Sequence, residues 1–308
     1  MAVDFGARIA FGAGTGVNSI PLLRAEAAWA ESVGFHGFWV SQVFGVDPIV
    51  AVAALGAASP GLREFGTSVV PLAGRHPLAL AAQARTAQSA LDGRFTLGIG
   101  TSHQMVVEGF FGEPWRQMAQ RTAEYLGALG PLLRGESCSV EGDHVFAKGW
   151  LTIEAEPVPI LLAAMGPRML EIAGRLTAGT TLGSCGPRTI ATHIAPTINA
   201  AAKLAGREQP RIMARVGVCV TADVAGLREH DRVQNVMYDA FPSYRAMLDR
   251  EGVQSGADLL VAGTIDDVVE GLAAYVAAGV TDLRVAIAAR TDDEREATKE
   301  ALANILRR

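Results

Sequence analysis

The chain has 308 residues, 49% of them hydrophobic and 19% charged, with a formal net charge of −5. That balance suits a large globular core, and a net negative chain without a Lys/Arg cluster excludes an electrostatic surface for nucleic acid or anionic lipid. No apolar run reaches the roughly 18 residues of a membrane span, and the N-terminus MAVDFGARIAFG lacks the layout of a secretory signal.

RIAFG at residues 8–12 predicts a first strand, leading to a helix over 21–33 with Pro21 in its first turn, where the missing N–H costs nothing. GFWVS (37–41) predicts a second strand and leads to a helix over 47–58. A β-branched run ending at Pro71 is the third strand. From Pro77 the pattern gives a helix of roughly four turns, a DGR turn, and a fourth strand at 95–99 that breaks at Gly98, Gly100 and Thr101. This stretch is one β-α-β unit, so its strands are expected parallel with a right-handed crossover. A long amphipathic helix over 115–134 follows, then a polar detour over 135–157 with room for a hairpin. VPILLAA (158–164), TTLGS (180–184), RIMARVGVCVTAD (211–223) and LRVAIA (283–288) are strands five to eight. Helices separate them, a helical insertion over 224–254 interrupts strands seven and eight, and a last helix ends the chain. Eight strands alternating with helices favour an α/β fold, a closed (β/α)8 TIM barrel in one domain, over an open doubly wound sheet.

The carboxyl ends of parallel strands are where α/β enzymes hold ligands. After strand four that place holds LGIGTSH. Its glycines either let a planar ring lie against the backbone or simply turn the chain, and no G-x-G-x-x-G fingerprint is present. His103 either gives a proton or hydrogen bond to a substrate carbonyl or is a satisfied loop histidine. Two loops, AAMGPRM (163–169) and GSCGPRT (183–189), place Gly-Pro-Arg where a strand ends and a helix begins. Their free N–H groups, with Arg168 and Arg188, form anion sites or else well-capped helix starts that bind nothing. The three cysteines, Cys138, Cys185 and Cys219, are widely spaced. They make neither a disulfide framework nor a zinc site, and a reducing cytoplasm is expected. Cys185 has no base beside it and reads as a spectator thiol. No paired carboxylates, HExxH, GxSxG or Walker loop supports hydrolysis or phosphoryl transfer.

GTSVVPLAGRHPLALAAQARTAQSALDGRFTLGIGTSH, with AAMGPRMLEIAGRLTAGTT, GPRTI and FPSYRAMLDREG, resembles the luciferase-like superfamily. Within it the match is to the coenzyme F420-dependent oxidoreductases described as methylenetetrahydromethanopterin-reductase-like. The resemblance implies a barrel with an insertion after strand seven and a non-proline cis peptide at Ser68–Val69. It implies that Thr67, Ser68 and Val69 flank a deazaflavin or flavin ring, and that Gly100, Thr101 and Ser102 line its polar edge. It gives the phosphate-bearing tail to Ala164, Met165, Gly166, Pro167, Arg168 and Met169, with Gly183, Ser184, Cys185 and Gly186. Many F420-dependent relatives carry an acid–histidine pair at the end of strand two, where this chain has Gln42 and Val43. Gln42 can hydrogen-bond a ring but Val43 cannot move a proton, which leaves His103 as the candidate proton donor and Tyr244 as second choice.

The expected function is therefore an F420-dependent oxidoreductase, a reductase using F420H2 on a small, largely apolar substrate. The alternatives are an FMN-dependent monooxygenase and a non-catalytic flavin or deazaflavin carrier. Arg75, Arg168 and Arg188 suit the longer F420 tail, the detour and the 241–248 segment are expected to roof the pocket, and the superfamily implies a homodimer. No metal is expected.

Overall fold

The computed structural model describes residues 5–14, 17–41 and 44–307. The strands are β1 (Arg8–Gly12), β2 (Gly37–Val40), β3 (Glu64–Thr67), β4 (Val70–Pro71), β5 (Phe95–Gly100), β6 (Cys138–Glu141), β7 (Phe146–Gly149), β8 (Ile160–Leu162), β9 (Gly179–Leu182), β10 (Arg211–Val220), β11 (Val261–Gly263) and β12 (Asp282–Ile287). Parallel pairing runs β1, β2, β3, β5, β8, β9, β10, β12 and returns to β1, which closes the eight-stranded TIM barrel. The strand expected third is two pieces, β3 and β4, both paired to β5 and separated by the Ser68–Val69 peptide, which is cis. The detour contains the antiparallel hairpin β6–β7. β11, which had no counterpart among the expected strands, adds three residues alongside β10.

The helices are α1 (Ile20–Val33), α2 (Pro48–Leu55), α3 (Pro77–Ala90), α4 (Gln104–Gly109), α5 (Met118–Leu133), α6 (Pro167–Leu176), α7 (Pro187–Thr189), α8 (Ala195–Leu204), α9 (Val224–Asp239), α10 (Pro242–Glu251), α11 (Ile265–Ala277) and α12 (Asp292–Arg307). Proline occupies the first turn of α1, α2, α3 and α6. Ser19 and Asp47 cap the first two of these, each taking amide hydrogens that the helix leaves unpaired. Asp47 also pairs with Arg75 at 2.6 Å, which ties that arginine to the α2 start.

Strand alternation sorts side chains between two cores. Phe11, Phe38, Phe65 and Phe95 are buried in the layer between barrel and helices with Leu23, Ala27 and Leu80. Each such side chain is worth about 1.5–3 kcal/mol relative to exposure. Ala10, Trp39, Leu161 and Met213, in the opposite phase, form a separate cluster that plugs the barrel. Trp39 lies so close to Gly66 that a Cβ there would stand 2.3 Å from the indole.

Below the plug sits a buried ion cluster. Arg211 donates to Glu64 at 2.7 and 2.9 Å and to Asp282 at 2.7 and 3.3 Å, and Arg8 adds 2.7 and 2.9 Å contacts to Asp282. β10 and β3 are not neighbours in the sheet, so the Arg211–Glu64 pair crosses the barrel interior. Burial would raise the Asp282 carboxyl, and the Arg211 hydrogen bond and charge, with Thr281 and Arg8, bring it below its ordinary value.

Candidate active site

At the carboxyl end of the strands the barrel opens into a cavity of about 360 Å³, within the ~300–1,000 Å³ of ligand pockets. One wall is the Ser68–Val69 bulge. The bulge loses ladder bonds and replaces them from three sides. The Thr67 hydroxyl donates to the Gly98 carbonyl at 2.8 Å and accepts from its amide at 2.9 Å. The Ser68 amide donates to the Val40 carbonyl at 2.9 Å, and Ser41 Oγ donates to the Ser68 carbonyl at 2.7 Å. Ser68 Oγ lies 3.1 Å from Thr181 Oγ1 on β9. β5 must come close for this to work: a Cβ on Gly98 would stand 1.8 Å from the Thr67 carbonyl oxygen. Gly98→Ala is therefore expected to destabilise the protein by at least about 2 kcal/mol, since backbone has to move. Gly166→Ala, where a Cβ meets nothing within 4 Å, is expected to stay within about 0.5 kcal/mol of the parent. Denaturant melts of the two variants check this, and equal stability would contradict it.

The opposite wall carries His103. Its ring stacks on Phe241 with centroids 3.9 Å apart and planes 10° apart, and Tyr238 meets it edge-on at 6.3 Å. Tyr244 lies 5.6 Å away. Burial pushes the imidazole below its ordinary value. Among the described residues no side chain hydrogen-bonds it. Burial also pushes the Tyr244 hydroxyl up to about 12. The α9–α10 segment roofs the cavity with Asp231, Asn235, Asp239 and the two tyrosines, so the roof is mixed rather than apolar. The detour does not reach it: among the described residues none from 135–157 lines the cavity. That hairpin packs instead on α5, where Glu124 accepts from the amides of His144 and Val145.

Of the residues named from the sequence, Ser68, Val69, Ser102, His103, Gly183 and Ser184 line this one cavity. Thr67 is fully buried and occupied by Gly98. Gly100 packs under Val69 and Ala163, and Thr101 lies beside the cavity without lining it. Ala164 is buried with its amide on Thr180 Oγ1, while Met165, whose carbonyl meets His193 Nε2 at 2.8 Å, and Gly166, Pro167, Arg168 and Met169 lie outside the cavity. Gly166 caps α6 without a side-chain partner for the first amides of that helix. The second Gly-Pro-Arg loop differs. The Glu251 carboxylate accepts from the Arg188 and Thr189 amides at 3.2 and 2.7 Å, so the anion position at that helix start is filled from within the chain. Cys185 is buried behind the cavity wall and a Cβ on Gly186 would meet the Glu251 carboxyl at 2.2 Å. Burial raises the Cys185 thiol, as expected of a spectator. Gln42 and Val43 lie outside the described residues.

Two residues absent from the sequence reading stand on the cavity floor: Arg215 of β10 and Arg284 of β12, directly in register. Gly12 leaves room for Arg284, since a Cβ there would come 2.9 Å from its guanidinium. Burial, with Arg215 beside it, pushes the Arg284 guanidinium down to about 9, which still leaves it charged at neutral pH. The signal for them was present. Arg211, Met213 and Arg215 share one strand phase, and a buried strand seldom carries charge without a partner.

A family model described as luciferase-like monooxygenase matches residues 4–282. The chain is 26% identical to a 5,10-methylenetetrahydromethanopterin reductase from Methanolobus tindarius over 253 residues, covering 81% of this chain and 77% of that protein. It is 31% identical to an F420-dependent glucose-6-phosphate dehydrogenase from Beutenbergia cavernae over 171 residues, about half of each chain (51% and 51%). Among solved structures it resembles an F420-dependent secondary alcohol dehydrogenase in complex with an F420–acetone adduct, with a TM-score of 0.80 at 18% identity, covering 97% of this chain and 99% of that one.

Proposed function

We propose that this chain, which belongs to the luciferase-like monooxygenase family, is an F420-dependent oxidoreductase that reduces a small organic substrate with F420H2. The observation that carries this reading is the cavity between the Ser68–Val69 bulge and the stacked His103. It is a slot with a backbone wall on one side and an imidazole on the other. The name of the F420-dependent relative from Beutenbergia cavernae favours a deazaflavin over FMN as its occupant.

The residues present fit such a group. Ser68 and Val69 offer a flat wall for a planar ring, and the Ser102, Gly183 and Ser184 edge offers polar contacts around it. The uncapped amides of α6, reached through the loop from Ala164 to Met169, suit a phosphate-bearing tail. In the other loop Glu251 takes that position, which leaves Gly183 and Ser184 to the ring. When bound, F420H2 supplies a hydride to an activated C=C, C=N or C=O bond. His103 holds the proton that the reduced substrate needs, and its stacking on Phe241 orients the imidazole toward the cavity. Tyr238 and Tyr244 close the roof and keep water from the reacting bond.

Parallel equilibrium titrations with F420 and with FMN, followed by ligand fluorescence, test the assignment. Tight F420 and weak FMN binding is expected. The reverse preference would make the protein an FMN-dependent monooxygenase, in line with its family's name. Binding of F420 without turnover across a broad panel of acceptors would make it a carrier.

A further inference from the structure

Inside this barrel, arginines are treated in two ways. Arg211 is matched to two carboxylates below the plug. Four residues along the same strand, Arg215 has no ion-pair or hydrogen-bond partner among the described residues, and neither has Arg284 beside it. Arg284 is only 5% exposed, and its Nε is buried with nothing to donate to. Strands of one sheet run roughly 5 Å apart, so Arg215, exposed to the cavity, sets a like charge beside the buried Arg284 and pushes it down. Leaving a buried cation unpaired is among the more costly things a fold can do. Tyr244 lies close enough to influence Arg284, but a neutral hydroxyl does not balance it. Asp231, facing the same cavity from α9, feels the Arg215 charge but forms no salt bridge with it, and its Oδ1 accepts from Asn235 at 3.0 Å. Burial also pushes its carboxyl up, which weakens it as a fixed counter-ion. Two forked guanidiniums on adjacent strands, both open to one cavity, match the paired oxygens of an oxyanion.

We propose that the substrate of this site carries an anionic oxygen group, a carboxylate or comparable oxyanion, that seats on Arg215 and Arg284 at the cavity floor. This deepens the proposed function and rests on the cavity being the substrate site. It changes the expected substrate from a largely apolar molecule to one with an acidic end, which the arginines hold at the floor while the reducible bond lies level with Ser68–Val69 and His103.

Benzoate and benzamide, similar in size and differing in charge, are suitable probes with the full chain. Benzoate is expected to raise the Tm of the wild type and benzamide to leave it unchanged. Arg284→Met and Arg215→Met should each weaken benzoate binding about 10- to 100-fold, with F420 affinity unaltered. Arg284→Met should also melt no lower than the parent without ligand, because it removes an uncompensated charge. Arg215→Met, at a position open to the cavity, serves as the second variant if the first folds poorly. A wild type that treats the two probes alike, or variants that keep their benzoate affinity, would overturn the inference. So would a fall in F420 affinity parallel to the benzoate loss, which would give the arginines to the cofactor. A wild type that binds benzoate through the pair but not F420 keeps the anion site and removes the F420 reading.

Discussion

Replacing His103 by alanine is expected to lower turnover with F420H2 by about 10²- to 10⁴-fold, the usual worth of a positioned proton donor, with F420 affinity close to that of the wild type. The imidazole lines the cavity and stacks on Phe241. His103→Phe separates chemistry from packing, because it keeps a ring on Phe241 and cannot carry a proton. Both variants should be slow, and wild-type turnover in either would remove His103 from the mechanism. The pH profile gives a second readout. Burial holds the imidazole below its ordinary value, and the donor must be protonated. Reduction by the wild type should therefore decline as pH rises through that lowered value. The reverse oxidation needs the neutral imidazole and should rise over the same range. Neither variant should retain this limb.

Arg211→Met is expected to cost about 3–5 kcal/mol of stability at neutral pH, because it leaves Glu64 and Asp282 buried with too little positive charge. Arg8 remains on Asp282, but its side chain is 41% exposed and screened by solvent. In the wild type the Asp282 carboxyl is held below its ordinary value. Its contribution is thus present above the unfolded pKa of ~3.9 and lost as pH falls through the folded value. Without Arg211, burial dominates and the carboxyl rises, so acid relieves the variant while it weakens the wild type. Urea melts at pH 7 and near pH 4.5 should show the deficit shrinking on acidification. A deficit under about 1 kcal/mol at pH 7 would mean that the cluster gives the barrel little.

Much of the architecture could be read along the chain. Short apolar runs such as RIAFG and GFWV appear as strands within a residue or so of their expected ends, because a fully buried parallel strand needs a continuous apolar run. Prolines in the first helical turn marked the starts of α1, α3 and α6, since that signal acts within a few residues. Closure of the barrel followed from counting eight strands. The Ser68–Val69 position came from family resemblance, and nothing in TSVVP alone demanded it.

Other features had no local signature. Glu251 is remote in sequence from the amides of Arg188 and Thr189, so the two Gly-Pro-Arg loops looked alike until α10 was seen to cap one of them. β11 is three residues long and exists because β10 offers it an edge to pair with. Likewise Arg211 and Arg215 carry the same charge in the same strand phase, yet one meets Glu64 and Asp282 while the other opens into a cavity. Hydrophobic period and turn chemistry report on neighbours in the chain, and they specified the barrel, its order and the end at which chemistry is to be sought. Which charges are neutralised, which helix starts stay open and which aromatic rings hold His103 depend on contacts between distant segments, and those exist only once the barrel has closed.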